Sequence, residues 1–406
     1  MILKSYLNFG LLINLFFTVS FNNFSQGQII NNNVIFNFKI DRFNFEKNIT
    51  ETTFEIINRS DKNFNPNNWE LHWNQMKGSI IKESLPNGIT FEYVNGEHYY
   101  KIYFGDNWKL DIGERVSFKV NFQGIIDRKI MGPNGVFIVN NKIAFDIKLN
   151  TIWKNAEGID LLDIPSSIDL YDTYPNKIDD KSLNINLLPT PDLIIYGNDN
   201  QLPIKGWNLK IDPFFKEKTT LINQLLTSFF DVKIRTDKSD DYNLIIKRKI
   251  DLEKEYYTLE INTKSIEISA PDIYGIRHAI QSLRQIKFFH KDNSIGLPTL
   301  KIEDSPRFTY RGFLLDISRH FYSKEKILQV LDVLSLLKLN YFELRLTDDE
   351  GWRIEIPDLP ELTEIGAKRG YTENERDKLI PAYGSGANGS KNGNGFLSKN
   401  DFKDIL

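Results

Sequence analysis

RGFLLDISRHFYSKEKILQVLDVLSLLKLNYFELRLTDDEGWRIEIPDLPELTEIGAKR, residues 311–369, decides how the chain is read. Its apolar run Phe313–Ile317 has strand length and ends in Ser318-Arg319-His320. From about Ser323 to Leu337, Ile327, Val330, Leu331, Leu334 and Leu337 recur at helical spacing, with Ser323 placed to cap the first turn. A second strand, Tyr341–Leu346, then runs into Thr347-Asp348-Asp349. Strand, helix, strand with an apolar helix face predicts a βαβ unit. Two strands that each end in polar side chains predict a ligand-handling face of an α/β enzyme.

The chemistry of those strand ends centres on Arg319 and Asp348. A guanidinium is a planar fork of donors, suited to two adjacent hydroxyls or one carboxylate. A carboxylate at the same level accepts from sugar hydroxyls or orients a histidine. An Arg319–Asp348 ion pair that merely fixes the rim fits the spacing equally well. Asp348 and Asp349 do not read as a glycosidase pair, because consecutive strand residues point to opposite faces. Glu343 and Arg345 share one face of the second strand, with Asp316 as their expected partner in a structural polar layer. Trp352 reads as a plug in a packed excursion.

Composition narrows the classes. The 406 residues should hold two or three domains. Net charge is −3, from 51 basic and 54 acidic residues, and no basic stripe interrupts the balance, so nucleic acid is not an expected partner. The absence of cysteine excludes disulfides and thiolate chemistry. No histidine has a second ligand-type residue at metal spacing, and no Gly-rich loop opens a helix, so no metal or other cofactor is expected. Lys4 followed by the apolar run Phe9–Phe21 reads as a signal peptide over residues 1–28, implying a periplasmic or secreted bacterial protein with no membrane span after its removal.

Upstream, residues 33–150 alternate apolar and polar positions over many short runs, which predicts a β-sandwich. Its Trp69, Trp73 and Trp108 read as packing rather than as sugar platforms, and His72 and His98 as satisfied or surface histidines. Residues 151–182 read as a connector. Residues 183–305 predict a small α+β domain, with helices at Phe214–Phe230 and Ile273–Phe289; His278 and His290 belong to or follow the second. Leu297–Phe308 reads as an extended bridge. After Arg369, GYTENERDKLIPAYGSGANGSKNGNG reads as a flexible loop, followed by a new helix near Ser398.

The segment RGFLLDISRHFYSKEKILQVLDVLSLLKLN…LTDDEGWRIEIPDLPELTEIGAKRG resembles the start of the catalytic barrel of family 20 glycoside hydrolases, the β-N-acetylhexosaminidases. LIPAYGSG…GFLSKNDFKDIL is similar to the loop and helix that follow in the bacterial chitobiase branch. Residues 33–150 resemble the carbohydrate-binding-like sandwich in front, and SAPDIYGIRHAIQSLRQI the α+β domain before the barrel.

The resemblance implies a multidomain chain: sandwich, α+β domain, then at 306–406 the first βαβ unit of an incomplete (β/α)8 TIM barrel. It implies that Arg319 holds hydroxyls of the terminal sugar and that Asp348 pairs with a later active-site histidine. It also implies an Asp-Glu pair on a later strand, expected beyond Leu406, so no catalytic residue is assigned in this chain. There the Glu protonates the leaving oxygen and the Asp orients the substrate's own acetamido group as nucleophile. The implied substrate is a glycan with a terminal N-acetylhexosamine, such as a chitooligosaccharide. Glu343 and Arg345 depart from the histidines often found there. Because a barrel needs eight strands, the sequence is expected to behave as an inactive piece with an open sheet edge. The other reading kept open is a non-catalytic glycan-binding exported protein.

Overall fold

The computed structural model describes residues 31–94, 98–153, 187–202, 207–229, 242–289, 296–389 and 393–406. The expected signal peptide (1–28), nearly all of the connector (151–182) and His290 lie outside them. The described residues fall into two compact units. One draws on Ser25–Lys177, Leu315–Ile327 and Leu344–Leu406, the other on Ile178–Leu314 and Leu328–Glu343.

In the first of these, strands β1 (Asn31–Asn44), β2 (Ile49–Asn58), β3 (Trp69–Asn74), β4 (Ser79–Ile80), β5 (Ile89–Val94), β6 (Tyr99–Phe104), β7 (Arg115–Gln123), β8 (Asn134–Asn140) and β9 (Ile143–Ile152) form one nine-stranded sheet in the order β4-β7-β2-β1-β9-β8-β3-β6-β5. All neighbours are antiparallel except β1 and β9. The period-2 pattern does its expected work: every second residue of β2 is buried, including Phe54 and Ile56. Phe54 packs edge-on to Trp73 of β3 at 5.6 Å, although three strands separate β2 from β3 in the hydrogen-bonding order. The sheet therefore curls over on itself and closes its apolar face around one core. Trp69 and Trp73 belong to that core. Trp69 stacks on Phe104 at 3.7 Å, and its indole N–H donates to the Trp108 carbonyl. Trp108 is half-buried, its N–H satisfied by the Asn87 carbonyl. His72 is buried between Tyr99 (2.5 Å from Nδ1) and Glu70 (2.6 Å from Nε2).

The other unit holds a six-stranded sheet of β10 (Leu193–Leu202), β11 (Asn208–Ile211), β12 (Asn243–Arg248), β13 (Tyr257–Ile261), β14 (Ser265–Ala270) and β15 (Leu297–Asp304), ordered β10-β15-β13-β14-β12-β11. Helices α1 (Thr219–Phe229) and α2 (Ile273–Phe289) bury Ile222, Leu226, Ile276, Ile280 and Leu283 in its core. Two expectations need correction. The segment Leu297–Phe308 is not a bridge: its first eight residues are β15, paired on both sides. Leu297, Leu300 and Ile302 supply a buried face, and Pro298 is accommodated where β15 meets β10 opposite Gln201. The helix expected from Phe214 begins later, because Asp212 caps a separate 3-10 turn over Pro213–Lys218.

Next, β16 (Gly312–Asp316), α3 (Lys324–Leu336) and β17 (Tyr341–Arg345) follow in the expected strand–helix–strand order, with β16 paired to β17. Helix α3 ends in a Schellman motif: Leu339 N–H donates to the Leu334 carbonyl and Lys338 N–H to that of Ser335. Lys338 takes the left-handed position (φ 60°) that glycine usually fills. Its side chain explains the choice. The ammonium is buried and donates to Asp304 Oδ2 (2.7 Å) and to the Tyr257 hydroxyl (2.9 Å). Burial pushes the Lys338 pKa down, and Asp304 opposes that. These groups, with Glu255, His278 and Arg311, line a cleft of about 390 Å³ whose charges are matched to one another. Breaking a buried pair strands the survivor, so Lys338→Met should cost about 3 kcal/mol, read from the urea midpoint. Lys338→Gly should also destabilise, despite relieving the backbone. A loss below about 0.5 kcal/mol in both would show that the pair does not hold Asp304.

Candidate active-site face

The end of β16 is built by one carboxylate. Asp316 Oδ1 accepts the backbone N–H groups of Ser318 (2.9 Å) and Arg319 (3.1 Å), turning the chain off the strand. Its other oxygen accepts Arg319 Nη1 at 2.6 Å. The next strand end contributes Asp348, in the short β18 (Thr347–Asp348), which accepts Arg319 Nη2 at 2.7 Å and is also bonded by Arg345. The two residues singled out from the sequence are thus brought together as an ion pair. Asp316, expected as a partner of Arg345, lies 4.0 Å from it and binds Arg319 closely. Glu343 and Asp349 are exposed, and Asp349 lies in the turn that follows β18 rather than in the strand.

Residues that sequence reasoning missed complete the face. Tyr383 accepts Arg319 Nε (3.1 Å) and donates to Glu350 Oε1 (2.9 Å). Arg319 therefore engages three of its five N–H groups with these partners, and its side chain is 33% exposed, so donors remain for a ligand. Burial alone would lower its pKa, but the hydrogen bonds it donates to Asp316 and Tyr383 hold it above the ordinary arginine value. It is a fixed cation.

Two buried arginines support the turn from behind. Arg353 donates to the carbonyls of Ser318 (3.0 and 2.9 Å), Ala367 (2.8 Å) and Gly395 (3.1 Å). Arg369 donates to the Arg319 carbonyl at 2.6 Å. Burial, then the neighbouring Arg369 charge, push the Arg353 pKa down to about 10. His320 is held below its ordinary value by burial and by Arg369 and Arg353. Trp352, in β19 (Gly351–Trp352), is half-buried with its N–H on the Ile354 carbonyl, as a plug would be. Two short helices, α4 (Glu361–Glu364) and α5 (Lys399–Ile405), flank this region, α5 opening on a Ser398–Asp401 capping box. Among the described residues no three His, Asp or Glu side chains gather as a metal site.

The segment after Arg369, expected to be a flexible loop, is instead tied down along residues 371–389. Tyr371, Ile380 and Ala387 pack with Tyr99, Phe137 and Val139 of the curled sheet. The glycines serve close approach. A Cβ on Gly135 would sit 2.5 Å from the Gly384 backbone, and both residues have positive φ. Nothing in a Gly- and Asn-rich composition distinguishes such packing from mobility.

The model for the glycosyl hydrolase family 20 catalytic domain matches residues 308–406, and that for the family's domain 2 matches 184–305. The chain belongs to glycosyl hydrolase family 20. A β-hexosaminidase of Vibrio vulnificus is 29% identical over 380 residues, covering 86% of this chain and 43% of that protein. The N,N'-diacetylchitobiase of Vibrio harveyi is 45% identical over 150 residues, 37% of this chain and 17% of that one. The crystal structure of a family 20 exo-β-N-acetylglucosaminidase from Vibrio harveyi with N-acetylglucosamine matches with a TM-score of 0.69 at 24% identity, covering 92% of this chain and 55% of that chain. At that identity the likeness is one of fold. The chain spans about half the length of the relatives it matches.

A histidine with a depressed folded pKa binds fewer protons folded than unfolded, so stability falls as pH drops below its unfolded value of about 6.5. His320→Gln should therefore flatten the loss of stability between pH 7 and 5 relative to the parent, measured by urea unfolding. An identical slope in parent and variant would remove His320 from the acid response.

Proposed function

We propose that the protein is an exo-β-N-acetylhexosaminidase, releasing terminal N-acetylhexosamine from chitooligosaccharides or related glycans. The observation that carries this reading is the Arg319 fork, stationed by Asp316 and Asp348 inside the segment matched by the family's catalytic-domain model. A guanidinium held on two carboxylates, with donors to spare, suits the adjacent hydroxyls of a terminal sugar. In this reading Asp348 has a second duty, orienting a histidine from a later strand. The reaction retains configuration: a glutamic acid on a later strand protonates the leaving oxygen, and its preceding aspartate orients the substrate's acetamido oxygen for attack on the anomeric carbon.

The same proposal assigns residues 33–150 as a carbohydrate-binding-like sandwich and 183–305 as an α+β domain. Residues 306–406 then open a (β/α)8 barrel. Export by the amino-terminal segment would place the enzyme in the periplasm or outside the cell. No helix among the described residues is long and apolar enough to cross a membrane.

The test uses the full-length protein with chromogenic N-acetylglucosaminide and N-acetylgalactosaminide. Hydrolysis of at least one is expected. Arg319→Ala should lower kcat/KM at least a hundredfold, the effect of losing two charge-assisted hydrogen bonds of about 1.5–3 kcal/mol each. Arg319→Lys should recover little, because a point charge does not span two hydroxyls. Unaltered kinetics in Arg319→Ala would reduce Arg319 to a rim ion pair. Glycan binding without hydrolysis of either substrate would replace the enzyme with a non-catalytic glycan binder.

A further inference from the structure

Tyr383 reaches Arg319 from a segment that is held in place by the nine-stranded sheet. Asn74, the last residue of β3, brackets it: its Nδ2 donates to the Pro381 carbonyl (2.9 Å) and its Oδ1 accepts the Gly384 N–H (3.2 Å). Asp146 on β9 accepts the Ala387 N–H at 2.7 Å and lies against Gly386, where any Cβ would strike its carboxylate. Both side chains are buried, Asn74 at 3% and Asp146 at 8% exposure. Between these clamps Tyr383 holds φ at 50°, a left-handed conformation that a bulky residue keeps only when its surroundings impose it. Ser385 closes the turn by accepting the Ala382 N–H at 3.2 Å.

We propose that Asn74 and Asp146 are positioning residues for the Arg319 site. They fix the Pro381–Ala387 turn so that the Tyr383 hydroxyl bridges Arg319 and Glu350. The curled sheet is then part of the site's construction. Neither residue is bonded to Arg319; they act through Tyr383. The alignment of the guanidinium depends on all three of its partners, Asp316, Asp348 and Tyr383, and only the last comes from beyond the strand ends.

The kinetic part of this inference rests on the proposed hydrolase activity; the structural part does not. Fluorotyrosine placed at position 383 alone gives a resonance that reports the hydroxyl's surroundings. In Asn74→Ala and Asp146→Ala that resonance should shift and broaden, with the melting of the sheet monitored in parallel to show that it still folds. Asp146→Asn keeps an acceptor oxygen for the Ala387 N–H and should leave the resonance in place. In the full-length protein, Asp146→Ala should lose about tenfold in kcat/KM, the scale of one hydrogen bond to a charged group. Asp146→Asn should restore it. The double variant Asp146→Ala/Tyr383→Phe should be no worse than Tyr383→Phe alone. An unmoved resonance in both alanine variants, or defects that multiply in the double variant, would overturn the proposal. If the parent hydrolyses neither substrate, the enzyme reading fails and the resonance alone decides the positioning.

Discussion

A guanidinium keeps one plane only when partners hold its separate N–H groups. That constraint organises the carboxyl ends of β16 and β17. Asp316 spends one oxygen on the backbone turn and the other on Arg319, so the turn and the side chain cannot shift independently. Asp348 fixes the second terminal nitrogen and Tyr383 the third edge of the fork. Three carboxylates, Asp316, Asp348 and Glu350, face two cations, Arg319 and Arg345. An arginine stays protonated under all ordinary conditions, so these carboxylates serve to hold it in place.

Holding that plane needs a rigid backbone behind it. The carbonyls of Ser318 and Arg319 lie where no strand partner can satisfy them, and buried arginines do so instead. A buried guanidinium is expensive unless its donors are used. Arg353 meets the condition by gathering three carbonyls from three separate turns, which also staples those turns together. The segment carrying Tyr383 is secured differently, by an amide and a carboxylate from the curled sheet and by glycines that let two backbones touch.

Much of this was legible in the sequence wherever periodicity carried the information. The alternation of apolar and polar residues through TTFEIIN matches the burial of Phe54 and Ile56, and the helical spacing of Ile327, Val330, Leu331 and Leu334 matches α3. The polar ends of two strands single out Arg319 and Asp348. Leu297–Asp304 was misread because Pro298 and Pro306 outweighed a face of alternate apolar residues. Residues 371–389 were misread because glycine signals both mobility and close packing.

The sequence by itself determined most of the strands and helices, the family and the two residues that meet at the strand ends. It did so because each is encoded locally, by period or by motif. Only the tertiary structure decided that Tyr383 and Glu350 join Arg319, that Arg353 and Arg369 brace its turn, and that Asn74 and Asp146 anchor the segment opposite. Those contacts span up to 310 positions, as between Asn74 and Gly384. No local propensity records them; they exist only once the curled sheet and the strand ends have formed and left particular donors and acceptors facing one another.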